Sequence, residues 1–236
     1  MSKRKHTASA DTVYEALKED ILHLVLTPGS SISEIETAEQ FHISRTPVRD
    51  AFKRLEREGL LEIQPHIGTF ISLIDLDTIT DILYIREVLE CATLTNLISI
   101  YNDSLDLQIR ILLEEQKALL ESSLTIEEMG RAFLLADHEF HNALFTAVGR
   151  PNIHKYLNQL NCQYERFRTY INFTGKNDLK KLYHSHVEII ERIRAKDTDG
   201  LQKVIKHHLY DGFQSNSHLI SNHPEFFKGN YSSHKT

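Results

Sequence analysis

The chain has 236 residues, 41% of them hydrophobic and 25% charged, with 9 Gly, 5 Pro and 2 Cys. That length allows one large domain or two modest ones around a buried core, and the composition excludes collagen-like, low-complexity and disulfide-framework proteins. The 27 basic and 33 acidic residues give a net charge of −6, so any affinity for nucleic acid must rest on local clusters. No run approaches the roughly 18 apolar residues of a membrane span, and the first eleven residues lack the apolar stretch of a signal peptide, so a cytoplasmic protein with no membrane partner is expected.

In chain order, residues 1–10 read as a mobile polar tail carrying Lys3, Arg4 and Lys5. Val13, Ala16, Leu17, Ile21, Leu24 and Val25 recur at helical spacing before Pro28-Gly29. Ser33-x-x-Glu36 is a capping-box pattern that opens a short second helix ending near Phe41, with His42-Ile43 as the turn. Ser44 is placed to cap a third helix, whose first turn tolerates Pro47 and whose stripe of Val48, Ala51, Phe52 and Leu55 stops at Gly59. Leu60–Gln64 and Thr69–Leu73 then read as two strands joined by Pro65-His66-Ile67-Gly68. Three helices and a hairpin over 11–73 make a winged helix-turn-helix.

A linker is expected at 74–77. Beyond it the spacing predicts six long helices, near 77–101, 105–122, 126–148, 151–173, 178–195 and 198–220. Thr125-x-x-Glu128 supplies another capping box, Gly149, Pro151 and Gly175 supply breaks, and 196–200 a turn. The fold class is therefore mainly α, with the winged helix-turn-helix followed by an antiparallel all-helical bundle of about six helices over 78–222. Residues 223–236 are polar with little periodicity and read as a disordered tail.

The third helix carries chemistry. Between residues 45 and 57, Arg45, Arg49, Lys53, Arg54 and Arg57 oppose only Asp50 and Glu56, which makes a positive helix in a negative chain. Arg45, Thr46 and Arg49 lie at the N-terminal end, the end that enters a major groove in this motif. Arginine can give two parallel hydrogen bonds to guanine O6 and N7, whereas Ser44, Thr46 and the helix N-terminus suit phosphate oxygens. His66 and Gly68, at the wing tip, are placed to approach the minor groove or its backbone. A basic helix face is often only solvated, but Ala38 and Ile43 occupy the positions on which two such helices cross, and the wing follows at once.

These residues also carry a resemblance. Pro28-Gly29-Ser-Ser-Ile-Ser-Glu34, Ile43-Ser44-Arg45-Thr46-Pro47-Val48-Arg49-Asp-Ala51, Leu55-Glu-Arg-Glu-Gly59-Leu60 and Gly68-Thr-Phe70 look like the DNA-binding domain of GntR-type bacterial transcription regulators. The resemblance implies operator contacts at Arg45, Thr46 and Arg49. Two positions depart from the pattern: Ile35 stands where the family usually has a DNA-contacting arginine, and His42 replaces a turn glycine, which asks a non-glycine residue to adopt the turn conformation.

In the second region, Asp137 and His141 are four apart on a face formed by Phe133, Leu134, Leu144, Phe145 and Val148. His186 lies among Leu182, Tyr183, Ile189 and Ile190, and His208 follows Leu201, Val204 and Ile205. The turn between the last two helices centres on Asp197, equidistant in sequence from His186 and His208, so an antiparallel hairpin brings these imidazoles to one height. A single core histidine is ordinarily hydrogen-bonded to a neighbour, but three imidazoles and a carboxylate converging on one interior point would be satisfied together by a divalent cation. Three nitrogens and one oxygen suit Zn, Ni, Co, Fe or Mn rather than Ca or Mg, with an open coordination position. His138, His184 and His207 face other directions, and solvent exposure is expected for them; His154, His218, His223 and His234 show no convergent spacing. Arg86, on the stripe of Ile82, Leu83 and Leu89, has two readings: a partner for an effector carboxylate, or an ordinary pair with Glu90 one turn on.

Arg86-x-x-Leu-Glu90, Asp137-x-x-Phe-His141, Gly149-x-x-Asn152 and the His186/His208 spacing resemble the helical ligand-binding domain of the FadR-like branch of that family, and six helices resemble its VanR-type subgroup. The resemblance implies a metal on Asp137, His141, His186 and His208, and a small organic acid beside it that alters DNA affinity. The expectation is therefore a homodimeric repressor in the bacterial cytoplasm, nucleoid-associated when bound to double-stranded, pseudo-palindromic operator DNA, and responsive to a small carboxylate effector. The alternative is a metal-dependent hydrolase with a DNA-binding appendage, for which Glu139 is the nearest candidate base but lies off the Asp137/His141 face.

Overall fold

Of the three helix caps that the sequence predicts, at Ser33, Ser44 and Thr125, the first and the last form. The computed structural model describes residues 9–160, 162–172 and 176–229, which leaves Lys3, Arg4, Lys5, Gly175 and His234 outside the described residues. Helix α1 (Ala10–Leu22) opens on Ser9, whose hydroxyl accepts from the Thr12 amide, and buries Val13, Tyr14, Leu17 and Ile21. The helix stops earlier than the apolar spacing suggests: Leu24 takes a left-handed φ of 58° and Val25 is exposed rather than part of the stripe. Helix α2 (Glu34–Gln40) is capped by Ser33, which accepts from the amides of Ile35 and Glu36. His42 does adopt the turn conformation, φ 54°, and the bond from Ile43 N to Ala38 O closes the helix end around it.

Helix α3 (Arg45–Arg57) buries Val48, Ala51, Phe52 and Leu55 completely. Ser44 occupies its N-cap position but makes no side-chain capping hydrogen bond. A two-residue strand β1 (Ser31–Ile32), which sequence patterning does not reveal, joins β2 (Leu61–Gln64) and β3 (Gly68–Ile71) in an antiparallel sheet of order β1-β3-β2, with Leu61 opposite Ile71 and Ser31 opposite Phe70. The wing thus has three strands. His66 sits at its tip with φ 64°.

The chain divides into two compact units, residues 9–76 with 223–229, and Asp77–Asn222. Two expectations change here. Residues 74–77 are not an irregular linker: β4 (Ile74–Asp75) leads straight into α4 (Leu76–Ile100), and Ile74 and Leu76 are buried. Residues 223–229 are not a disordered tail either, because a 3-10 turn at Pro224–Phe226 leads into β5 (Phe227–Lys228), which pairs in parallel with β4, Ile74 against Phe227. Burial of Phe227 and the Lys228–Asp75 ion pair at 3.4 Å hold this return. Both depend on a partner about 150 residues away in sequence, which no local pattern contains.

The second unit is helical: α4, α5 (Asp103–Glu121), α6 (Ile126–Ala147), α7 (Pro151–Leu160), α8 (Cys162–Asn172), α9 (Lys176–Arg194) and α10 (Thr198–Ser215), followed by a 3-10 segment, Ser217–Asn222. The helix expected over 151–173 corresponds to α7 and α8, with residues 161 and 173 outside the described residues. Thr125 and Glu128 form the reciprocal capping box that starts α6, and Asp197 caps α10 by accepting from the Gly200 amide. Helix α5 packs on α6, and α9 on both α5 and α10. Phe133, Phe140, Leu144, Ile189, Ile190, Leu201 and Ile205 fill the interior with essentially no exposure. Among the described residues, no helix is long and apolar enough to cross a membrane.

Candidate nucleic-acid interface and metal centre

The buried stripe of α3 sets what its other face presents. Ser44, Arg45, Thr46 and Arg49 are all exposed at the start of the helix, and His66 and Gly68 are exposed at the wing tip. The five cations of α3 are not equivalent. Arg54 is taken inward, paired with Asp11 and stacked 3.7 Å from the centre of the Tyr14 ring, and Arg57 donates to the Lys53 carbonyl. Arg45 and Arg49 are each about half exposed and both turn to Glu34 in the first turn of α2: Arg45 Nη2 lies 3.2 Å from Glu34 Oε2, Arg49 Nη2 3.2 Å from the same oxygen and Arg49 Nε 3.3 Å from Oε1. Burial opposes the Glu34 charge, yet Arg49 and then Arg45 hold its carboxyl below the usual range. The sequence reading did not assign Glu34 to this surface.

In the helical unit, the structure brings Asp137 and His141 of α6, His186 of α9 and His208 of α10 together. One ligand atom from each lies within 4.8 Å of the others, and all four residues are buried. Gln116 Nε2 donates to the Ala136 carbonyl, which orients the amide so that Gln116 Oε1 accepts from His186 Nδ1 at 2.8 Å. Ser185 Oγ donates to the Leu182 carbonyl, so it accepts from His208 Nδ1 at 2.7 Å. His141 Nδ1 lies 3.4 Å from Glu90 Oε2. The first two contacts fix the tautomers with Nε2 lone pairs turned inward, the arrangement that metal-binding imidazoles require. Burial pushes His141 and His208 well below the usual imidazole range, keeping them neutral. Burial opposes the Asp137 charge as well, but Arg168, whose Nη1 donates to Oδ2 at 2.8 Å, holds that carboxyl well below the usual range.

A cation fits this donor set. His208 Nε2, its lone pair turned inward, lies 3.2 Å from His141 Nε2, a contact satisfied either by a proton on His141 Nε2 or by a cation between the two nitrogens. His186 Nε2 approaches Asp137 Oδ1 to 3.3 Å without hydrogen-bonding geometry, so both atoms are buried with no hydrogen-bond partner. Metal–ligand distances of about 2.0–2.2 Å place neighbouring ligand atoms roughly 3–3.5 Å apart, the spacing of these two pairs within a set that spans up to 4.8 Å. When bound, a divalent transition metal would supply a positive centre able to take an anionic ligand directly.

Beside the cluster lies a cavity of about 390 Å³, lined in part by His208, Ser185, Arg168, Tyr164, Lys181 and Asn216, large enough for a small organic molecule. His184 and His207 are exposed, as expected, and stand at its margin. His138 departs from expectation: it is half-buried, with Nε2 3.3 Å from Glu165 Oε1, because α8 packs over that face of α6. His154 is buried against Phe145 and His138, and burial first, then His138, lowers it to about 4. Arg86 follows the second of its two readings, donating from Nε to Glu90 Oε1 at 2.8 Å with both groups buried. It borders a space of about 10 Å³ that Asp137, His141 and Arg168 also line, room for a single water. The arginine that lines the large cavity is Arg168, which sequence reasoning missed. Glu139 is exposed in a separate groove with Asn142 and Thr146, not at the cluster.

Residues 9–71 match the family model described as bacterial regulatory proteins, gntR family, and residues 81–211 match the FCD domain. The chain is similar to the HTH-type transcriptional repressor RspR of Escherichia coli K12, 26% identical over 215 residues that cover 91% of this chain and 92% of that one. Among solved structures, E. coli McbR/YncC superposes with a TM-score of 0.64 at 21% identity, covering 91% of this chain and 98% of that one. Lar of Listeria monocytogenes superposes at 0.61 and 18% identity, covering 92% and 100%. At these identities the solved structures establish the shared fold.

Proposed function

Since this chain belongs to the GntR family of bacterial regulators and carries an FCD domain, it is a DNA-binding transcription regulator, and we propose that it is a dimeric repressor whose grip on its operator is set by a divalent metal and a small organic acid. The single observation that carries the sensing half is the convergence of the Asp137, His141, His186 and His208 ligand atoms beside a cavity of about 390 Å³. Zn, Ni, Co, Fe and Mn all suit three nitrogens and one oxygen. A carboxylate entering the cavity would meet the metal on one side and Arg168 on the other, while Arg86 acts through Glu90, whose second oxygen lies near His141. The sign of regulation follows the repressor named among the relatives. Members of this family are regulators rather than enzymes, and the position of Glu139 gives the hydrolase alternative no base at the cluster. A protein that reads the genome works in the bacterial cytoplasm.

Arg45 and Arg49 would read base edges, Ser44 and Thr46 phosphates, and His66 and Gly68 the flanking groove. Coupling between the two units has two covalent routes, because the chain passes between them at 76/77 and again at 222/223. A ligand shifts DNA affinity only through its differential affinity for two states. The test is fluorescence anisotropy on a duplex selected from a random pool by the protein itself, with zinc, with EDTA, and with zinc plus a panel of hydroxy- and dicarboxylic acids. At least one condition should change the dissociation constant by about 5-fold or more, the lower end of ordinary allosteric coupling. Indifference to all of them would remove the sensing half and leave DNA binding standing.

The dimer reading has its own support. Helix α4 leaves Tyr84, Ile85 and Val88 exposed on one face, at 64%, 39% and 52%, an apolar patch opposite the face that carries Arg86 and Glu90. A second copy on a two-fold axis would cover it and present two α3 helices to half-sites about one helical turn apart. Val88→Asp is expected to convert the solution mass to that of a single 27.3 kDa chain, read by light scattering, and to weaken binding to a two-half-site duplex more than to one half-site. An unchanged mass would place the interface elsewhere.

A further inference from the structure

Glu34 pairs with both Arg45 and Arg49 at the proposed DNA-facing surface, and its position is costly. An acidic group at a surface meant for phosphates opposes binding electrostatically. An exposed ion pair repays little in stability, a few tenths to about 1 kcal/mol. Its place in the first turn of α2 does favour the helix dipole, but Glu36 in that same turn serves the same end without touching Arg45 or Arg49. What Glu34 does alone is gather two arginines that α3 carries one turn apart.

The donors it uses are informative. Arg49 spends its Nε–Nη2 edge on Glu34, with three contacts between 3.2 and 3.4 Å, while Arg45 gives only Nη2. A guanidinium has two edges on which paired donors lie side by side. With the Nε edge of Arg49 taken by the carboxylate, the Nη1–Nη2 end keeps its parallel pair, and that pair matches guanine O6 and N7. A long, rotamer-rich side chain held along one edge also loses less freedom when the other edge binds.

We infer that Glu34 is a positioning residue for base reading: it fixes Arg49 side-on and steadies Arg45, so that discrimination rises while overall attraction to DNA falls. This rests on the reading that Arg45 and Arg49 contact operator bases. Ile35, next to it and 51% exposed, brings no charge of its own, so in this chain the pair of arginines on Glu34 carries the discrimination at that edge of the interface.

The experiment compares full-length wild type, Glu34→Gln, Arg49→Ala and the double variant on the selected duplex, on single-base variants of it and on a scrambled duplex of equal length. Glu34→Gln keeps the shape and one acceptor but loses the charge. It should bind the scrambled duplex up to several-fold more tightly, bind the selected duplex more weakly, and cut the ratio between them about 10-fold or more, with the loss concentrated at guanine positions. In the Arg49→Ala background the same change should cost little further discrimination, because Glu34 acts through Arg49. Equal gains on both duplexes would reduce Glu34 to a phosphate repellent and overturn the inference. Loss of discrimination at a cytosine, retained in the Arg49→Ala background, would make Glu34 a direct reader and overturn it as well, as would an unchanged ratio. If Arg49→Ala itself leaves the ratio unchanged, the underlying reading of α3 fails instead. A melting temperature within a few degrees of wild type for Glu34→Gln separates all of these from misfolding.

Discussion

Asp137→Asn is expected to yield a folded protein that has lost its metal, and Asp137→Ala one that has lost both its metal and much of its stability. The difference follows from the two oxygens of this carboxylate. Oδ1 faces the imidazoles with no hydrogen-bond partner, while Oδ2 accepts from Arg168 at 2.8 Å. On the proposed reading the first is the ligand, and the second holds a guanidinium that is itself buried. Removing a residue that only orients a ligand ordinarily costs 10–100-fold in metal affinity, so removing the one anionic ligand should cost more than about 100-fold. Asparagine preserves volume and can still accept from Arg168 through its amide oxygen. Alanine leaves Arg168 as an uncompensated buried charge, a loss of about 3–5 kcal/mol, which in a protein of this size lowers the melting temperature by on the order of 10 °C. Metal content after gentle purification, and melting curves with and without EDTA, check both. Wild type should melt lower in EDTA and Asp137→Asn should not move. If Asp137→Asn keeps its metal and the same EDTA shift, the cation is held elsewhere.

Those two oxygens also mark where sequence legibility ends. The i, i+4 spacing of Asp137 and His141 and the symmetry of His186 and His208 about Asp197 are local facts, and each predicts a direction that packing then respects: His141 and His208 do meet at 3.2 Å. Arg168, Gln116 and Ser185 have no such signal. A polar residue inside a helix carries no period of its own, and its role appears only when three helices are in place. The same division runs through the fold. Helix α6 starts at the Thr125 capping box and ends at Ala147 just before Gly149, both readable from neighbours in sequence. The two-residue strands β1 and β5 exist only because β3 and β4 offer their edges, and two residues are too short for any alternation to show. His138 fails for a related reason: its exposure depends on where α8 lies, not on its own helix.

Arg49→Ala is the variant that separates reading from gripping. A bidentate pair to guanine contributes about 1–3 kcal/mol of discrimination, so its loss should weaken the selected duplex by roughly 5–150-fold per half-site, and in a symmetric dimer the two losses compound. Arg45→Ala should act in the same direction. Binding to scrambled DNA should fall far less, because that term scales with phosphates neutralised and one charge per half-site changes the salt slope by only about one unit. The internal control is Arg54 on the same helix. Its guanidinium is stacked on Tyr14 and paired with Asp11, so Arg54→Ala removes the same formal charge from α3 yet should act mainly on the stability of the α1–α3 packing and leave the specific-to-scrambled ratio near that of wild type. Measuring that ratio for all three variants at two salt concentrations distinguishes a helix that recognises bases from one that is merely basic: equal losses for Arg49→Ala and Arg54→Ala on both duplexes would mean that charge alone is at work, and that the exposed N-terminal turn of α3 has no privileged role.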